Sequence, residues 1–152
     1  MANTVNSNQF KQVPVRGDMD LQISKSGVIT GQISTNQATA LLGGAFVKLD
    51  TANTGPVPQF VAAATSDTGV LLGSIIRNTK QDSYSALDYV EVASPVGPVI
   101  WVVAGGTIAP GAEVEDTGSS TVQTKSAGAL RGFALDPGSN GNMMRIVLVN
   151  PV

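Results

Sequence analysis

The chain has 152 residues, a length that suits one domain, and it contains neither cysteine nor histidine. Their absence excludes disulfides, a Ser-His-Asp triad, a cysteine nucleophile and zinc sites built from Cys and His. Charged residues make up only 13% of the chain and the formal net charge is −2, so the basic footprint of a nucleic-acid-binding protein is missing. Such weak charge favours association with other proteins.

The first forty residues are predicted to form an extended N-terminal arm with short strands. Residues 1–12 are polar, and Phe10 is their only large apolar side chain. This composition buries too little apolar surface to fold alone. We therefore expect Phe10, with Val13 and Val15 in an extended strand after it, to attach the arm to another protein. The alternative is a frayed tail.

Valine, isoleucine and threonine account for 40 residues, and glycine and proline are spread along the chain, which favours short strands over helices. Asn36 is expected to cap one helical turn over 38–42. Residues 41–152 are otherwise predicted to form an all-β domain, a small barrel or sandwich, with no strict internal repeat. The segments with strand patterns are 28–34, 45–50, 59–64, 70–76, 87–93, 99–103, 113–115, 121–124, 130–135 and 143–149.

The segment Asp136–Asn142 partly matches a calcium-binding loop. Gly138 and Val147, however, stand where such a loop needs oxygen ligands. We therefore expect a hairpin connection in which Asn140-Gly141 accepts positive φ angles.

Glu113, Glu115 and Asp116 form the only acidic cluster. Two carboxylates on one strand face would suit a glycosidase, but these lie beside a turn and lack aromatic platforms. A solvated hairpin is the better interpretation. The sequence thus offers no catalytic, cofactor-binding or metal-binding residue.

Trp101 is the single tryptophan and lies in the apolar run Val99–Val103. Alternation places Val99, Trp101 and Val103 on one strand face, which is either core or subunit interface. Trp101 is accordingly the candidate interface residue. Sugar stacking is a further alternative, but Tyr84, Tyr89 and four phenylalanines are the only other aromatic residues.

Seven segments between residues 41 and 149 form a series of strand patterns and turns, and five of the seven contain glycine. They are Gly43-Gly-Ala-Phe-Val-Lys48, Leu71-Leu-Gly-Ser-Ile-Ile76, Tyr84 to Tyr89-Val-Glu-Val92, Gly97-Pro-Val-Ile-Trp-Val-Val103, Ile108-Ala-Pro-Gly111, Gly132-Phe-Ala-Leu135 and Met144-Arg-Ile-Val-Leu148. This series resembles the structural cement, or head decoration, proteins of tailed bacteriophages. The match covers about two-thirds of the chain and includes no catalytic motif.

The resemblance implies a protein without enzymatic activity or cofactor that binds the outer surface of an icosahedral head. Its partners would be the major capsid protein and, as a homotrimer, itself. It would be made in the host cytoplasm and reside on the virion exterior. We expect no nucleic acid, membrane or small-molecule substrate among its partners. The alternatives are a tail-tube or fibre subunit and a carbohydrate-binding β-sandwich module.

Overall fold

The computed structural model describes residue 16 and residues 27–68, 72–78, 80–94, 97–118 and 120–150. These residues form twelve short strands and no helix, which confirms the all-β class. No helix in the described ranges is long and apolar enough to cross a membrane. The strands are β1 (Val28–Ile33), β2 (Leu41–Leu42), β3 (Phe46–Leu49), β4 (Gln59–Ala62), β5 (Leu72–Ile76), β6 (Ser83–Tyr84), β7 (Tyr89–Ala93), β8 (Val99–Ala104), β9 (Glu113–Gly118), β10 (Thr121–Thr124), β11 (Leu130–Ala134) and β12 (Met143–Leu148).

The strands close into two small barrels of five strands each. The order is β1-β4-β3-β5-β7 in the first barrel and β10-β8-β12-β11-β9 in the second. Each barrel contains one short parallel pair, β1 with β4 and β8 with β10, and its other neighbours are antiparallel. A closed barrel leaves no long strand edge for uncontrolled pairing. The predicted small barrel is therefore confirmed, but in two copies.

Strand alternation builds the core of each barrel. In β7, Val90 and Val92 face the first core, whereas Tyr89 and Glu91 face outward, as their spacing predicts. The second core contains Ile100 and Met144. The hydrophobic cluster of the second core also includes two buried residues of the first barrel, Phe46 and Ala93. The two barrels therefore pack against each other.

A buried arginine joins the barrels. Arg131 of β11 is 2% exposed and donates from Nη1 to the Asp67 carbonyl (2.9 Å) and from Nη2 to the Ala64 carbonyl (2.7 Å). Its guanidinium carbon lies 5.8 Å from the ring centroid of Phe46. Burial lowers the pKa of Arg131, against the opposing influence of Asp116 and Asp67. Both terminal nitrogens of the guanidinium thus bind backbone carbonyls within the fold, whereas its buried Nε has no hydrogen-bond partner.

The second barrel contains one strand–loop–strand unit twice, as residues 101–118 and 131–148. The loop of each unit hydrogen-bonds to the end of the first strand of the other: the Gly111 amide donates to the Ala134 carbonyl (2.7 Å) and the Gly141 amide donates to the Ala104 carbonyl (2.8 Å). Gly111 and Gly141 have φ of 79° and 81°. The sequence does not predict this approximate twofold repeat. When the two units are aligned, only two pairs of residues are identical, Ala104 with Ala134 and Gly111 with Gly141.

Two local predictions differ from the structure. The helical turn over 38–42 is wrong: Leu41–Leu42 pairs as a strand with Ser83–Tyr84, and Asn36 donates to the Asp50 carboxylate instead of capping. The 135–142 connection joins an antiparallel pair as predicted, but only Gly141 of its Asn140-Gly141 dipeptide has positive φ. Together with the hydrogen bond from the Asn142 amide to the Ser139 carbonyl, this is the pattern of a type II turn.

Candidate docking surface on the second barrel

The outward surface of β8, β12 and β11 is largely apolar, and we call it the Trp101 face. Its members are all half-buried: Trp101, Val103, Phe133, Met143, Arg145 and Val147. Strand register places Trp101 beside Arg145, and Val103 beside Met143. Because these side chains alternate with core residues, they form one continuous patch on the barrel wall.

The one cation of the Trp101 face is neutralised by its own chain. Arg145 donates from Nε to Asp136 Oδ2 (2.9 Å) and from Nη2 to Asp136 Oδ1 (2.8 Å), and its backbone amide also donates to Oδ2 (3.0 Å). These bonds, led by the Arg145 side chain, lower the pKa of Asp136. The Arg145 guanidinium carbon lies 5.5 Å from the ring centroid of Trp101. The face therefore offers a neutral, ordered, apolar surface.

The structure excludes one of the alternatives for Trp101, a position in the core. The residue belongs to neither core cluster, so it is an outward-facing residue and not a core residue. Its pairing with Arg145 was not predicted. Alternation places Arg145 on the outer face of its strand, but only the register of β8 against β12 places it beside Trp101. Phe10, Val13 and Val15 lie outside the described residues.

The acidic hairpin forms as predicted, with β9 antiparallel to β10, but only Glu113 of its three acidic residues is exposed to solvent. Glu115 is only 4% exposed. Its carboxylate accepts hydrogen bonds from Gln123 Nε2 (2.6 Å), from the Ser126 amide and hydroxyl (2.9 and 3.0 Å), and from the amides of Ala127 (3.1 Å) and Gly128 (2.5 Å). These bonds, the largest from Gln123, lower the pKa of Glu115 to about 2.

The pKa of the neighbouring carboxyl, that of Asp116, is shifted in the opposite direction. Asp116 is buried beside a cavity of about 240 Å³ between the barrels, and burial raises its pKa, although the Gly118 amide donates to Oδ1 (2.6 Å). Adjacent carboxyls with divergent pKa values suggest acid–base catalysis. Here the five donors around Glu115 occupy the oxygens that a general base would use, so Glu115 is not available as that base. No group of three acidic side chains in the described ranges could hold a metal ion.

Among the residues that the structure describes, the aromatic side chains do not form a sugar platform. The guanidinium of Arg145 lies over the ring of Trp101, and Tyr84 is 1% exposed, with its hydroxyl accepting from the Asn78 amide and donating to the Gln81 carbonyl. Tyr89 is 64% exposed but lies on the first barrel. A carbohydrate-binding module would need several such rings on one sheet face.

The architecture occurs in a known phage protein. The fold is similar to that of a head fibre base. The solved structure of the N base of head fiber gp8.5 in bacteriophage phi29 matches with a TM-score of 0.51 over 80% of this chain and 92% of that chain, at 15% sequence identity. At this identity the likeness shows the fold. No protein-family model matches the chain, and neither does any of the curated proteins.

Proposed function

We propose that this chain is a non-enzymatic structural subunit of a bacteriophage head that binds the outer surface of the shell as a decoration protein. The observation that carries the proposal is the fold likeness to the base of the phi29 head fibre, which spans most of both chains. It agrees with the resemblance of the glycine-spaced strands to phage cement proteins.

The Trp101 face supports a binding role. An apolar surface whose only cation is neutralised by Asp136 associates with protein without leaving a buried charge unpaired. We assign this face to contacts between copies of the chain, in a homotrimer on the shell. The arm residues Phe10, Val13 and Val15 would then contact the major capsid protein.

A cement acts by mass action: it binds the assembled lattice and shifts the equilibrium away from rupture. Heads heated with and without the protein test this. We expect a higher rupture temperature for decorated heads, and equal rupture temperatures would contradict the cement role. Electron microscopy of the same heads should show the added density on the outside of the shell.

A base for a head fibre is the second candidate, and the likeness to the phi29 protein specifically favours it. Stoichiometry and position separate the two roles. A decoration protein covers equivalent lattice positions across the shell, whereas a fibre base occupies fewer positions and carries an elongated domain further out. Counting copies per head by quantitative mass spectrometry, together with the electron microscopy maps, distinguishes them.

A further inference from the structure

Leu87 has a conformation and an exposure that both disfavour leucine. It is the third residue of the turn Ser85–Asp88, in which the Asp88 amide donates to the Ser85 carbonyl (3.0 Å). Its φ is +70°, a region that glycine or asparagine usually occupies at this turn position. Its side chain is 53% exposed. The backbone is held there by β1, because the Leu87 amide donates to the Ile33 carbonyl and Gln32 Nε2 donates to the Leu87 carbonyl.

This leucine therefore stabilises the fold neither through a favourable backbone conformation nor through burial in the core. Strained residues persist at binding sites more often than elsewhere, since selection there acts on function. A large apolar side chain presented to water by a rigid turn is typical of an anchor that packs into a partner.

Two outward-facing residues of β7 extend the surface. Tyr89 is 64% exposed, and Glu91 is exposed two positions further on the same strand face. Both line a recess of about 280 Å³, together with Thr30 of β1. Within the described ranges, neither the Tyr89 hydroxyl nor the Glu91 carboxylate has a hydrogen-bond partner.

We propose that Leu87, Tyr89 and Glu91 form a docking patch for a second protein that presents a lysine or arginine beside an apolar pocket. The basic side chain enters the recess, where it contacts the Tyr89 ring and the Glu91 carboxylate. Leu87 fills the apolar pocket of the partner. Under the proposed function, on which this assignment rests, the partner is a shell protein of the head.

Charge favours such a partner over a second copy of this chain. Two copies meeting symmetrically through this patch would bring their Glu91 carboxylates together. Three of the chain's nine basic residues are also already engaged with its own acceptors; these are Lys48, Arg131 and Arg145.

The test uses the full-length protein and purified heads that lack it. Leu87→Gly removes the anchor and relaxes the turn, so its Tm should equal or exceed that of the wild type while its affinity for heads falls about tenfold. Tyr89→Ala should weaken binding about thirtyfold. Glu91→Gln should weaken it about fivefold and reduce its dependence on salt.

Ser120→Gly is the matched control, because Ser120 is the other non-glycine residue with positive φ in the described ranges (64°) but is 1% exposed. It should leave affinity unchanged. If wild type binds heads and all three patch variants bind equally well, the patch is wrong and the proposed function stands. If the wild type does not bind heads, both fall. If light scattering shows that the variants instead lose self-association, the partner is a second copy and the assignment to a shell protein is overturned.

Discussion

The buried carboxylate of Glu115 should make the stability of this protein strongly dependent on pH. The carboxylate lies in a ring of five donors, from Gln123 and from the loop 126–128. Its pKa is about 2 in the folded protein, against 4.5 for the free group. A difference of this size corresponds to about 3 kcal/mol of stability at neutral pH.

The sign follows from the direction of the shift. Because folding lowers the pKa of Glu115, the unfolded chain binds the proton more readily, and the contribution is complete only above about pH 5.5. It decreases as pH falls through 4.5 and disappears near pH 2. At pH 3 about 1.5 kcal/mol should remain.

Glu115→Gln tests this argument with a side chain of the same shape. The neutral amide turns an NH2 group toward backbone donors, so we expect a loss of about 2–3 kcal/mol in the free energy of unfolding at pH 7. Urea denaturation at pH 7 and pH 3 measures the loss at each pH. The difference between variant and wild type should shrink at pH 3, which separates Glu115 from Asp67 and Asp136, whose pKa values are also lowered.

Glu113→Gln is the control, because Glu113 lies on the same strand but is exposed. It should change stability by less than about 0.5 kcal/mol. A loss below about 1 kcal/mol for Glu115→Gln at pH 7, or an equal loss at both pH values, would refute the reasoning.

Three further predictions concern packing and association. Asn140→Pro should raise the free energy of unfolding by about 0.5 kcal/mol in thermal or urea denaturation, because Pro110 already occupies the equivalent turn position before Gly111. A loss of stability would contradict the equivalence of the two turns. Gly132→Ala should lower stability by more than about 2 kcal/mol, since its new Cβ would clash with the Val147 carbonyl oxygen. Gly106→Ala, whose new Cβ would have no atom within 4 Å, should leave the urea midpoint nearly unchanged. Trp101→Ala should shift the proposed homotrimer toward monomer in light scattering, and an unchanged mass would argue against the Trp101 face as the subunit contact.

The local pattern of residues determined ten of the twelve strands, all except β2 and β6. Val90 and Val92 alternate with Tyr89 and Glu91, and a strand with this pattern can satisfy the hydrophobic effect in only one orientation. The antiparallel pairing of β11 with β12 followed from two such segments joined by a short polar connection.

Tertiary structure decided which residues are buried by segments distant in the sequence, because short-range patterns contain no information on those contacts. The acidic hairpin was expected to be solvated because Glu115 and Asp116 are ionisable, but a loop 11 to 13 residues after Glu115 supplies backbone donors that bind its buried carboxylate. The helical turn predicted over 38–42 does not form, because burial of Leu41 in the first barrel contributes more free energy than a single turn of helix provides.

The division into two barrels and the twofold repeat of the second also depend on contacts distant in sequence. The repeat is maintained by backbone hydrogen bonds between the two loops and by two φ-positive glycines, which constrain few side chains. Its sequence could therefore diverge while its geometry stayed the same. Trp101 and Arg145 likewise meet only because β8 and β12 pair in one register, since 43 intervening residues separate two side chains that the barrel wall makes neighbours.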